Sequence, residues 1–392
     1  MGQNSPSQEI NMKFLFLVTD FDVGGITASL RNLTALLCAK NHTVDILNLP
    51  MSEKLPDGFD ERITLIPLDK RSRLWRLSSN DVKRAKGFKK IKYLFLGALK
   101  KIMNRSEAWV DYAFKNLRFD GYDAVIGFRQ SPVCFYLASR KACGAKKIGF
   151  WHGDIDFMGD VSGWSNYLYE LDCVACVSSA VRDSVKKRFP DLEEKLCVVY
   201  NVFAPSEIED ALGADAPELT ESEFNIVTVS RIDFVHKQLQ IIPEICQRLK
   251  QDGHRVLWHI IGDGPEREQL SSLILKCGVD DCLILHGARS NPFPYYKKAD
   301  LFVLTSKTES YGMVVVESLI CGTPVVAGEY PALHEILSDG ENGMIAENSA
   351  DGIYEAIKRI LVDASFYKKI KRGAQQYSYT SDTAYDQFMQ MF

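Results

Sequence analysis

Apolar residues fall along this chain in short unbroken runs, separated by longer stretches in which they recur every three or four positions. In the first half the runs are Lys13 to Val18, Thr43 to Leu49, Ile63 to Pro67, Tyr122 to Phe128, Lys147 to Trp151, Asp172 to Val177 and Leu196 to Tyr200. In the second half they are Asn225 to Ser230, Val256 to Ile261, Leu283 to Leu285, Leu301 to Leu304 and Thr323 to Val326. Apolar runs this short, without polar alternation, predict strands buried on both faces of a parallel sheet. The intervening helical periods, as in Thr27 to Ala39 and the stretch ending at Arg188, predict the crossover helices that parallel strands require. A segment rich in Pro, Ala and acids, Ala204 to Glu223, interrupts the alternation, which restarts at Asn225. The reading is α/β, with two doubly wound parallel-sheet domains over 1–203 and 204–375. A chain of 392 residues suits two domains.

Composition narrows the class without changing the picture. With 46% hydrophobic and 25% charged residues the chain is an ordinary globular one rather than a disordered or fibrous one. No apolar run reaches the 18 or so residues needed to span a bilayer. The start Phe14 to Val18 is too short for a secretory signal and runs directly into a glycine loop. Met1-Gly2 is followed at position six by Pro6, which rules against myristoylation, and the polar stretch before Met12 reads as an extension. The ten cysteines lie in apolar settings, and Cys173-x-x-Cys176 sits alone inside a predicted strand with no second pair. Reduced buried thiols account for that better than a zinc site, which places the chain in the cytosol.

Charge is unevenly distributed. Lys70 to Arg105 holds thirteen Lys and Arg against one acid, Asp81, although the whole chain has a net charge of -4. Inside it Ile91, Leu94, Phe95, Ala98, Leu99, Ile102 and Met103 recur at helical spacing, so 89–103 predicts an amphipathic helix with a basic polar face. An ordinary helix with a solvated face is one reading. The charge asymmetry favours contact with an anionic membrane surface, on the inner face of the cytoplasmic membrane. Nucleic acid is disfavoured, because no basic-aromatic binding module accompanies the run.

The candidate chemistry gathers at predicted strand ends. After Leu301 to Leu304 comes a polar loop carrying Glu309, then Gly312 opening a helix over Met313 to Cys321 that contains Glu317. Glu317 would lie about 7 to 8 Å along that helix from Gly312 at 1.5 Å per residue. Two carboxylates so separated could hold the two ends of a nucleotide sugar, with its diphosphate at the helix N-terminus between them. Arg231 and Lys237 follow the strand ending at Ser230, and Arg289 follows Leu283 to Leu285. In the first half, Gly24 and Gly25 make a strand-to-helix turn through which backbone N–H groups could reach an anion. His152 stands where a strand delivers its C-terminal end to the ligand side of such a sheet. Asp154-x-Asp156 has the form of a metal-binding pair, but that motif belongs to a single-domain context which the second half contradicts.

The segment from Leu301 through ESYGMVVVE to CGTPVVA resembles the Glu-seven-residues-Glu motif of retaining glycosyltransferases of family 4, the "group 1" enzymes, which have the GT-B fold. The resemblance covers nearly the whole chain, strongest from Ile226 to Ile345 and weakest from Pro50 to Lys146. It implies two Rossmann-like domains facing a cleft: an acceptor-side domain over 1–203, a donor domain over 204–375, and a last helix within 376–392 that returns to the first. It implies that Glu309 bonds the donor sugar, Glu317 the ribose, and the backbone of Tyr311, Gly312 and Met313 the sugar and phosphates. Arg231 and Lys237 would grip the diphosphate, Arg289 flank the base, His152 touch the sugar, and the loop of Gly24 and Gly25 face the donor. The implied donor is a nucleotide sugar, UDP-linked ahead of GDP-linked, used without metal. The implied acceptor is a hydroxyl of a glycan or lipid-linked molecule in cell-surface polysaccharide synthesis. The front-face mechanism needs no enzymatic nucleophile, which makes Glu309 a positioner. Alternatives are another GT-B enzyme, such as a UDP-sugar 2-epimerase, or a silent partner-binding subunit. The four charges Arg231, Lys237, Glu309 and Glu317 argue against silence. A NAD-dependent dehydrogenase is disfavoured because the first loop lacks G-x-G-x-x-G.

Overall fold

A computed structural model describes residues 11–392, apart from 23, 51, 53, 77–82, 104–107, 156–157, 159–160, 204–207, 209–218 and 220–222, and apart from the side chains of 99–103, 162 and 165. Most of the linker 204–223, Asp156 of the Asp-x-Asp pair, most of the stretch before Met12 and part of the basic segment therefore lie outside the described residues.

The strands are β1 (Lys13–Val18), β2 (Thr43–Asn48), β3 (Thr64–Pro67), β4 (Ala124–Gly127), β5 (Lys146–Trp151), β6 (Cys173–Cys176), β7 (Leu196–Val198), β8 (Phe224–Val229), β9 (Val256–Ile261), β10 (Leu283–Gly287), β11 (Leu301–Leu304), β12 (Val325–Gly328) and β13 (Gly343–Ala346). The helices are α1 (Gly25–Ala39), α2 (Gly87–Met103), α3 (Ala108–Ala113), α4 (Pro132–Lys141), α5 (Ser165–Glu170), α6 (Ser179–Arg188), α7 (Ile242–Gln251), α8 (Arg267–Cys277), α9 (Phe293–Lys298), α10 (Met313–Ile320), α11 (Ala350–Val362), α12 (Ala364–Gln375) and α13 (Asp382–Met389). Each run of apolar residues became a strand. β13 escaped the sequence reading because its Gly-Met-Ile-Ala run opens on glycine and holds only two large apolar residues.

The chain divides into two units. One comprises 1–177, 184–202 and 385–392, and the other 178–183 and 203–384. The chain thus returns to the first unit at Tyr385. The first unit holds a seven-stranded parallel sheet in the order β3-β2-β1-β4-β5-β6-β7. Phe14 to Leu17 are fully buried, as a central strand covered on both faces must be. α1 buries Leu30, Leu33, Leu37 and Cys38, the positions three and four apart. α4 begins where Ser131 accepts the Cys134 N–H and Pro132 occupies the first turn. The C-terminal residues cover β1: the Phe388 and Phe392 rings lie 5.4 and 5.5 Å from that of Phe14. The Tyr385 hydroxyl lies 2.9 Å from His42 Nε2.

The second unit holds a six-stranded parallel sheet in the order β10-β9-β8-β11-β12-β13. Its core brings Trp258, Ile260, Leu301 and Val303 of the sheet against Ile242, Ile245 and Leu249 of α7 and Ile353, Ile357 and Ile360 of α11. Ser349 caps α11 by accepting the Gly352 N–H at 3.0 Å. Both sheets reverse their strand order once, between β1 and β4 in the first and between β8 and β11 in the second. In open α/β sheets such a reversal opens a crevice at the carboxyl ends of the two strands, because successive loops leave it on opposite sides.

Candidate active site

The loops leaving β8 and β11, which flank the reversal in the second sheet, carry Arg231, Lys237 and Glu309. Lys237 Nζ lies 2.5 Å from Glu309 Oε1, with the two side chains 24% and 15% exposed, so this is a substantially desolvated pair that a ligand could still reach. Ser306 Oγ donates to the same Glu309 oxygen at 2.7 Å. Thr305 Oγ1 donates to the Lys237 carbonyl at 2.7 Å and the Lys307 N–H to the His236 carbonyl at 2.8 Å, tying the two loops together by their backbones as well. Arg231 pairs with Asp233 on its own loop while its side chain stays largely exposed. Burial pushes the Asp233 carboxyl up, but the His236 N–H and the Arg231 guanidinium outweigh it and hold the group below the usual carboxylate range.

Close backbone packing fixes the Arg231 loop from behind. A Cβ on Gly262 would stand 1.8 Å from the Ser230 carbonyl oxygen, and one on Gly264 would stand 2.1 Å from that of Ile232. Ile232 N–H donates to the Asp263 carbonyl at 3.0 Å. Only glycine permits that approach. The Gly262-Asp263-Gly264-Pro265 sequence reads as a turn, and its service as a wall behind Arg231 was not visible in the sequence.

Gly312 precedes α10 at φ 95, a left-handed conformation, and a Cβ there would meet the Tyr330 hydroxyl at 2.1 Å. Two requirements thus select glycine at the point where the chain turns from the Glu309 loop into the helix. Tyr311 is buried, and its carbonyl faces the Tyr330 hydroxyl at 3.5 Å. Met313 is half-buried at the positive end of α10. One turn on, Glu317 Oε2 accepts from the Tyr296 hydroxyl at 3.1 Å. Tyr296 is fully buried, and burial and then Glu317 push its phenol well above the ordinary range, so it stays a neutral donor. Arg289 is exposed on the loop after β10, its Nε 3.4 Å from the Tyr295 hydroxyl. The sequence named Arg231, Lys237, Glu309 and Glu317, but not Asp233, Ser306 or Tyr296. Asp233 could have been found, since an acid three residues before His236 is a capping spacing.

In the first unit, Gly24 ends the β1 loop and its carbonyl accepts the Ala28 N–H at 3.1 Å, opening α1 just ahead of Gly25. A Cβ built on Gly24 would have nothing within 4 Å. His152 follows β5 and is 8% exposed, packed on the Phe128 ring at 4.7 Å. Burial pushes its pKa down to about 4, so the ring is neutral at pH 7. Its Nε2 lies 2.9 Å from the Phe128 carbonyl, which can only accept. The proton therefore sits on Nε2, and Nδ1 is left as the accepting nitrogen. Gln130 Oε1 accepts both the His152 and Gly153 N–H groups, at 2.7 and 2.9 Å. On the neighbouring loops Arg129 lies 2.5 Å from Asp20. The sequence missed Gln130, Arg129 and Asp20, which belong to no motif spacing.

Cys173 and Cys176 are buried thiols in β6, and Cys173 Sγ lies 2.9 Å from Cys197 Sγ. Among the described residues no group of three or more His, Cys, Asp or Glu is placed to hold a metal ion. No helix among them is long and apolar enough to cross a membrane.

Residues 214–377 match the family model described as Glycosyl transferases group 1. The lipopolysaccharide core biosynthesis glycosyltransferase LpsE of Rhizobium meliloti is 28% identical over 224 residues, covering 56% of this chain and 63% of that protein. The alpha-monoglucosyldiacylglycerol synthase of Streptococcus pneumoniae is 28% identical over 202 residues, covering 49% of this chain and 46% of that protein. The chain thus spans between about half and just under two thirds of the length of these relatives. The Anabaena protein HepE, crystallised in complex with UDP and glucose, superposes with a TM-score of 0.67 at 17% identity, over 97% of this chain and 99% of that one. With the two parallel sheets, this likeness gives the chain the GT-B fold.

Proposed function

We propose that the chain is a retaining glycosyltransferase that moves a sugar from a nucleotide donor, UDP-linked, to a hydroxyl of a glycan or lipid-linked acceptor in cell-surface glycan synthesis. The observation that carries this reading is the meeting of Lys237 and Glu309 at 2.5 Å across the strand-order reversal of the second sheet, with Arg231 on the same loop as Lys237. Two fixed cations suit a diphosphate, and a carboxylate beside them suits the hydroxyls of the sugar it carries. The names of the relatives support a glycosyl transfer onto surface lipids or polysaccharides, and HepE's complex with UDP and glucose supports the donor.

In this reading the bond between the anomeric carbon and the diphosphate oxygen breaks, and its electron pair passes to the β-phosphate. Arg231 and Lys237 stabilise the charge that builds there. The acceptor oxygen attacks from the same face, and its proton passes to the departing phosphate oxygen, which preserves the anomeric configuration. Glu309 orients the sugar and forms no covalent bond with it. Glu317, fixed by Tyr296, holds the ribose. His152 offers Nδ1 as an acceptor to a sugar hydroxyl, and the loop of Gly24 and Gly25 leaves room for a close ligand. Arg289 flanks the base. The protein works in the cytosol, where its thiols stay reduced, and the reading requires no metal ion.

A screen of nucleotide sugars tests this. A UDP-sugar should raise the melting temperature and be hydrolysed slowly without acceptor, with EDTA making no difference. Proton NMR of the released sugar or transfer product should show the donor's anomeric configuration. Inversion, or activity abolished by EDTA and restored by a divalent cation, would contradict the reading.

A further inference from the structure

Among the described side chains, helix α2 packs on its unit along one side. Leu96 is buried and, with Tyr93, packs against Trp109, Leu74 and Tyr112. The opposite side presents Phe88, Ile91, Leu94 and Phe95, which are 91%, 65%, 53% and 68% exposed. Steps of three and four residues put these four on one face. The stripe read from the sequence therefore does not, in this part of the helix, serve as the buried face. It points into solvent, and a separate, narrower edge makes the packing contact.

The surroundings of that face say what would cover it. Lys90 and Lys92 border the apolar arc at about 100° of rotation per residue, and both are exposed, as are Lys89, Lys83, Arg84 and Lys86. From 82 to 106 the sequence holds no acid. The occupant must therefore be apolar within and anionic at its rim. A second copy of the chain would bring two like-charged rims together. A nucleic acid would meet the lysines but leave Ile91 and Leu94 in water.

We propose that α2 lies in the plane of an anionic lipid surface, with Phe88, Ile91, Leu94 and Phe95 in the acyl boundary and Lys90 and Lys92 on the headgroups. The long lysine stems can follow the apolar surface while their ammonium groups reach outward to phosphate. The inference stands apart from the sugar chemistry and would hold for an inactive chain. It differs from simple electrostatic adsorption in requiring the apolar face as well as the charges.

Co-sedimentation with vesicles separates the possibilities. The protein should sediment with phosphatidylglycerol-phosphatidylcholine vesicles at low salt, much less at high salt, and little with phosphatidylcholine alone. Replacing Phe88, Ile91 and Phe95 together by Ser should lower the bound fraction about tenfold with the melting temperature unchanged, because all three are exposed. Replacing Lys90 and Lys92 by Gln should bring anionic-vesicle binding down to the phosphatidylcholine level. Wild type remaining in the supernatant with anionic vesicles at low salt would overturn the proposal. So would undiminished binding by the Ser variant, or a wild-type dimer in sedimentation velocity that the Ser substitutions dissociate.

Discussion

The two sheets reverse their strand order in the same way but dress the reversal differently. Between β8 and β11 the loops are pinned by backbone contacts that only glycine allows, at Gly262, Gly264 and Gly312. Their charges, Arg231, Lys237 and Glu309, remain within reach of solvent. Between β1 and β4 Asp20 and Arg129 form a pair as close and as exposed as Lys237 and Glu309, but a Cβ on Gly24 would meet no described atom within 4 Å, and the nearby His152 is buried and neutral. A site of fixed, reachable charge suits one ionic ligand. A site with an unconstrained turn and a neutral ring beside its ion pair suits recognition by shape and by neutral hydrogen bonds as well, which can diverge while the fold is kept.

The contrast can be broken most sharply at Glu309. Glu309→Ala should lower transfer by a hundredfold or more, on the scale of losing a group aimed at the reacting centre. UDP affinity should persist or rise, because Lys237 is released from its carboxylate partner. Calorimetry with UDP beside a turnover assay decides, and parallel losses in both would contradict the division of roles. Glu317→Ala should instead weaken UDP binding itself by about 1 to 3 kcal/mol, the usual range for a hydrogen bond to a charged group.

The first unit can be tested through proton linkage. His152 in the folded state has its pKa pushed down by burial to about 4, from an ordinary value near 6.5. Between those values the unfolded chain binds a proton that the folded chain refuses. The stability tied to the neutral ring is thus complete above about pH 6.5 and is lost as pH falls toward 4. From pH 7 to pH 5 the loss should be about 2 kcal/mol, and a His152→Asn variant should lack that part of the slope in urea unfolding. NMR titration of the ring near 6.5 would show the burial to be wrong. The smallest effect belongs to Tyr296→Phe, which removes one hydrogen bond from Glu317 and should weaken UDP binding by about 1 kcal/mol. No change there would mean that packing alone orients Glu317.

This contrast also explains what could be read from the sequence. Strands buried on both faces announce themselves as apolar runs, so both sheets were legible, except for the Gly-led β13. Arg231, Lys237, Glu309 and Glu317 were legible because a diphosphate and a sugar impose fixed spacings along two loops. Their supports were not. Tyr296 reaches Glu317 from 21 residues away, and the Gly262 and Gly264 wall meets Ser230 and Ile232 from a neighbouring strand. Such pairings follow from sheet order, which no local pattern encodes. In the first unit, Asp20 meets Arg129, and Gln130 meets His152, only because β1, β4 and β5 are neighbours. The face of α2 misleads for another reason: helical period marks an apolar stripe but not whether protein or something else covers it.

The packing of Phe388 and Phe392 onto Phe14 sets a schedule for synthesis. A ribosome finishes β7 at Val198 and must add about 190 further residues before Phe388 exists, roughly 10 to 40 s at ~5–20 residues per second. For that interval the nascent first sheet waits with an aromatic patch over β1 uncovered, while the whole second unit emerges and can complete its own core. The unit made first is therefore the one finished last, and a nascent chain halted before Tyr385 should be the form most in need of a chaperone.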